Sequence, residues 1–101
     1  MKTQYMISLA RLDDLTVKAR QKWGDTPQKI KTVEELSELS VVLCKALNGS
    51  PGGTFEAIVD EIADVLITVN QMRHHYGEIE VDNRMEFKLD RLEQAIERKT
   101  V

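Results

Sequence analysis

A chain of 101 residues supports one domain, and it buries only about two-thirds of its unfolded surface, so its core is modest. Its net charge of −3 argues against non-specific binding to a nucleic-acid polymer, and an anionic ligand would have to arrive with a cation. One cysteine, Cys44, excludes an internal disulfide and a cysteine-based metal cage.

The opening "MKTQYMISLARLDD" lacks an apolar core long enough for a secretory signal. The first helical pattern covers residues 7–22, with Leu9, Leu12 and Ala19 as its apolar stripe and Leu15 and Trp23 nearby. "WGDTP" ends it, and Asp25 or Thr26 is expected to cap a second helix with Pro27 at its first position. That helix, residues 28–47, carries Val33, Leu36, Ser40, Leu43 and Leu47 at three-four spacing. Cys44, within "VVLCKAL", reads as a small buried hydrophobe rather than a nucleophile. The loop "NGSPGG" follows, then a third helix over residues 54–75 with Ile58, Val59, Ile62, Leu66 and Val69. Its segment "VLITVNQM" is too short to span a bilayer, so no membrane partner is expected and the cytoplasm is the expected location. "YGEIEVD" makes a softer break before a last helix, residues 82–98, striped by Met85, Leu89, Leu92 and Ile96. The expected fold is all-α, a compact four-helix bundle with these stripes as its core.

Acidic residues complicate the two central helices. At about 100° per residue, Glu35 and Glu38 lie one turn apart with Glu34 beside them, all away from the Leu36 stripe. A solvated face would continue polar, but this one runs into Val41 and Val42. The third helix repeats the pattern: Asp60, Glu61 and Asp64 gather opposite Ile62, and their side continues to Ile67 and Thr68. Two carboxylates about 5 Å apart repel by roughly 3 kcal/mol at an effective dielectric near 20. A hard divalent cation relieves this, and Mg²⁺ takes oxygen ligands of this kind. The E-x-x-E of one helix, facing the E-x-x-D of its antiparallel neighbour, supplies four.

These residues carry a resemblance. "EELSE" followed by "EIAD" is similar to the E-E-x-x-E…E-x-x-D signature of the MazG-like, all-α nucleoside triphosphate pyrophosphohydrolases. The likeness extends from "QKWG" to "EFKLDR". It implies a four-helix, Mg²⁺-dependent enzyme, with Mn²⁺ able to substitute, working as a homodimer or homotetramer. Its substrate would be a nucleoside triphosphate, cleaved to the monophosphate and pyrophosphate. Carried over by position, Glu35, Glu38, Glu61 and Asp64 are the implied metal ligands, and Glu34 orients or deprotonates the attacking water. Lys31, Lys88 and Arg91 are candidates for the phosphates, and Trp23 for stacking a base. The chain lacks an aromatic residue shortly after Asp64, where Thr68 and Asn70 stand, so base recognition has no assigned residue.

No Ser–His or Cys–His nucleophilic system is needed for such a hydrolysis, in which water attacks and the barrier is mainly charge gathering on phosphate oxygens. His74 and His75, adjacent and about 100° apart, are therefore expected at a surface or interface rather than in catalysis. Two other readings compete. Phosphoribosyl-ATP pyrophosphohydrolase shares the length and the acidic motif, but a Tyr-His pair is expected there after the acidic segment, and this chain has "ADVLITVNQM". The other is a non-catalytic, oligomerising helical module whose acids are ordinary surface.

Overall fold

The computed structural model describes residues 3–98, leaving aside the side chains of Tyr5 and Ile7. These residues form four helices and no strand: α1 (Gln4–Trp23), α2 (Asp25–Leu47), α3 (Phe55–Tyr76) and α4 (Glu78–Glu97). No helix among them is long and apolar enough to cross a membrane. Thr3 and Thr54 cap α1 and α3, their hydroxyls accepting from the amides of Met6 and Ala57.

Two boundaries differ from expectation. Gly24, not Asp25 or Thr26, precedes α2, and Pro27 sits third in the helix, where its missing N–H is one of the four that have no partner anyway. Asp25 does not cap because its carboxylate is engaged elsewhere: Oδ1 accepts from Arg20 Nε at 2.8 Å and lies 3.0 Å from His75 Nδ1. That contact ties the end of α3 to the start of α2, so the histidines are half-buried at a helix junction. The softer break after α3 is one residue. Gly77, at φ 124°, turns the chain at a conformation only glycine adopts freely, and helix resumes at Glu78.

Gly53 has a different reason to be glycine. A Cβ there would collide with the backbone nitrogen of Ala46, because the loop folds back on the end of α2. Gly53→Ala is expected to lower stability by about 1–3 kcal/mol, read from the denaturant midpoint; an unchanged midpoint would show that the loop can move aside.

The expected core is not where the stripes placed it. Val33, Leu36, Leu43 and Leu47 on α2 and Val59, Ile62, Leu66 and Val69 on α3 are all exposed, as are Met85, Leu89, Leu92 and Ile96 on α4. Cys44 is exposed too. The residues that α2 turns toward α3 are instead Thr32, Glu35, Leu39 and Val42, and α3 answers with Ile58, Glu61, Val65 and Thr68. The helices come close where Thr32 Oγ1 donates to the carbonyls of Gln28 (2.8 Å) and Thr68 (3.3 Å). Among the described residues no hydrophobic side chain is fully buried; the buried residues are Thr16, Gln28, Thr32, Glu35 and Thr68. This interior is polar and the apolar stripes face outward.

Its dimensions show that the single chain is open. Its radius of gyration is 16.5 Å, against about 13 Å for a compact chain of this length. Its accessible surface is 8156 Å², where a monomer of this mass exposes about 5,800 Å². α4 contributes most visibly: its backbone approaches only α3, and every described residue from Asn83 onward is exposed. Its start is clamped by Arg73, whose Nε and Nη2 donate to the Asp82 carboxylate at 2.7 and 2.6 Å. Asn70 extends the clamp to α1, donating to Thr16 Oγ1 at 3.0 Å and Asp13 Oδ1 at 3.2 Å.

Candidate metal centre

The acidic face of α2 meets that of α3 because i,i+3 spacing aligns the carboxylates on each helix and the short loop sets the helices side by side. Two groups result. Carboxylate oxygens of Glu35, Glu38 and Glu61 lie within 4.8 Å of one another, and so do those of Asp60, Glu61 and Asp64. Glu61 belongs to both groups.

Glu35 is the most deeply placed, at 4% exposure. Its Oε1 pairs with Lys31 Nζ at 3.0 Å, and its Oε2 is buried without a partner. Glu61 Oε2 is buried and unpartnered as well. Each orphaned carboxylate oxygen is costly for the protein alone, since a buried polar atom needs a partner.

The charges respond accordingly. Burial, then the negative charges of Glu38 and Glu35, pushes Glu61 up to about 7. Asp64 is raised by burial and by Glu35. Glu35 moves the other way: the Lys31 hydrogen bond outweighs its burial, and protons held on Glu61 and Asp64 can be donated to it. Without a cation, Glu61 thus holds a proton up to about neutrality. An all-oxygen set with unpartnered oxygens and mutual repulsion fits Mg²⁺ or Mn²⁺.

A pH dependence follows. Glu61 ionises in the folded chain at about 7, above its ordinary 4.5, so the fold holds this proton more tightly than the unfolded chain does. The metal-free fold therefore loses stability as pH rises from 4.5 through 7. A Mg²⁺ ion bound through Glu61 would have to displace the proton, so its affinity would climb up to about tenfold per pH unit below 7 and level off above it. Calorimetric titration between about pH 5.5 and 8 reads this; a flat profile would show that Glu61 is not a ligand.

Beside the carboxylates opens a cavity of about 390 Å³, lined by Trp23, Pro27, Gln28, Lys31, Glu35, Asp64, Ile67, Thr68 and Gln71. It is within the size range of small-molecule sites. One wall carries Glu35 and Asp64, and another carries the indole of Trp23, which has Lys22 Nζ 5.3 Å from its ring centroid.

The expected residues divide. Glu35, Glu38, Glu61 and Asp64 come together across the two groups, with Lys31 at their edge and Trp23 in the same cavity as Glu35 and Asp64. Glu34 is exposed and outside both groups, with Lys31 Nζ at 3.9 Å. Lys88 and Arg91 lie on the exposed length of α4, which does not approach α2. Asp60, gathered with Glu61 and Asp64 by spacing but not carried over as a metal ligand, belongs to the second group, and Gln28 lines the cavity without having been among the expected residues. Spacing could have found Gln28 too, two turns before Glu35 on the same face. Comparison with protein-family models, with curated proteins and with solved structures found no match.

Proposed function

We propose that this chain is a Mg²⁺-dependent nucleoside triphosphate pyrophosphohydrolase that works as a homo-oligomer. One observation carries the proposal: carboxylates of two facing helices, with orphaned oxygens, share a cavity with an exposed indole. A nucleoside triphosphate carries both chemistries, phosphates for a cation and a planar base for an indole.

In this reading Glu35, Glu38, Glu61 and Asp64 hold the cation, with Asp60 able to join through Glu61. Bound there, Mg²⁺ supplies positive charge against the phosphate oxygens, the main requirement of the reaction. Lys31 adds a second positive charge and, through its 3.0 Å pair, keeps Glu35 ionised and ready to ligate. Glu34, outside both groups, is the carboxylate assigned to orienting the attacking water and taking its proton. Trp23 stacks the base. Lys88 and Arg91 reach phosphate only if a second copy presents its α4 to this site.

Oligomerisation is supported by the surface excess of about 2,400 Å² per protomer over a monomer of this mass. A standard interface covers about 800 Å² per partner, so more than one such contact, or one large one, is needed. Incubating the protein with a panel of nucleoside triphosphates and Mg²⁺ tests the chemistry. Monophosphate with pyrophosphate is the expected product pair; diphosphate with orthophosphate would place the cut elsewhere and overturn the assignment.

A further inference from the structure

Gln28 is 4% exposed, and both its Nε2 and its Oε1 are buried without a hydrogen-bond partner. Its side chain lines the cavity that Trp23 and Glu35 share. Its backbone is held: the Gln28 carbonyl accepts from Thr32 Oγ1 at 2.8 Å, where that hydroxyl also reaches the Thr68 carbonyl of α3. The carboxamide itself has donor and acceptor both unused, a cost that a group with a matching acceptor and donor would relieve.

We propose that Gln28 reads the hydrogen-bonding edge of the nucleobase stacked on Trp23; this rests on the nucleotide reading of the site. Adenine and cytosine present an amino donor beside a ring-nitrogen acceptor, and guanine and uracil present a ring N–H beside a carbonyl. A carboxamide meets either order by a half-turn of its terminal group, as its bidentate pairing with adenine illustrates. Gln28 therefore selects for an edge with a donor next to an acceptor, and not for one base over another. Its place on α2 agrees, since seven residues separate it from Glu35 on the same face, about 10 Å along the axis. The base-reading end and the phosphate-binding end of the cavity are thereby set apart by the helix itself.

Trp23 is the only tryptophan in the chain, so its fluorescence reports stacking directly. The test titrates metal-free protein with adenosine, guanosine, cytidine, uridine and purine riboside, which keeps the ring but lacks the exocyclic amine. The four natural nucleosides should quench Trp23, and purine riboside should bind about tenfold or more weaker than adenosine. Gln28→Met, similar in length but without polar ends, should bind adenosine as weakly as purine riboside, with unchanged circular dichroism and a melting midpoint no lower than wild type. Equal binding of adenosine and purine riboside by the wild type overturns the assignment, and so does discrimination that survives in Gln28→Met or an absence of quenching by every nucleoside. The wild-type comparison stands even if the variant does not fold. No metal or triphosphate takes part, so failure of the hydrolytic reading would appear in the product assay and leave this result intact.

Discussion

Glu61→Gln is expected to lower triphosphate hydrolysis by at least about 10²-fold, the loss seen when one group that stabilises transition-state charge is removed, with helix content unchanged. Glu61 stands in both carboxylate groups, so its loss disables both, whereas Glu38→Gln disables one and should cost less. Glutamine keeps the shape and removes the charge. Because Glu61 is held partly protonated by burial and by its acidic neighbours, the metal-free fold should tolerate the neutral amide without loss of stability. The metal response gives a second readout. Ligand binding to the native state alone adds about 2.7 kcal/mol at a hundred times its Kd, so Mg²⁺ or Mn²⁺ should raise the melting midpoint of the wild type, and the gain should shrink in Glu61→Gln. Full activity in Glu61→Gln would refute the ligand set. A wild type whose midpoint ignores both ions would return the chain to the class of non-catalytic helical modules.

The second large effect concerns assembly. At micromolar concentration light scattering after gel filtration should find dimers or tetramers and no monomer, and the melting midpoint should rise with protein concentration. Leu66→Asp is the sharper probe. In an isolated protomer Leu66 is 58% exposed, and a charge there costs almost nothing. In an assembly that covers the outward stripe, the same aspartate becomes an unpaired buried charge, which costs several kcal/mol. The variant should dissociate and lose its cooperative melting, because the lone protomer has no fully buried hydrophobic side chain among its described residues. A wild-type monomer whose midpoint does not depend on concentration would contradict the assembly.

What the sequence determined by itself is local. Four helices, the loop "NGSPGG" and the pairing of Glu35 with Glu38 and of Glu61 with Asp64 all follow from spacing within a turn or two, which a 3.6-residue repeat fixes without reference to the rest of the chain. Even a local signal failed where two were in competition. The stretch "YGEIEVD" reads as a break of several residues, yet one glycine at positive φ is enough for the turn, and Glu78 and Glu80 favour a helix start through the dipole.

Tertiary structure alone decided which apolar side of each central helix turns inward. Both α2 and α3 are apolar on two sides, and periodicity cannot rank them. The helices pack through the side that carries the acids, with Thr32 and Thr68 at their close crossing, and this leaves the stripe of Leu36, Leu43, Ile62 and Leu66 outside. The same packing strips water from Glu35 and Glu61, raises Glu61, and orphans the Gln28 carboxamide, none of which depends on near neighbours in the chain. Desolvation is a property of what surrounds a group in space, so the residues that the site makes unusual are those whose sequence context looked ordinary.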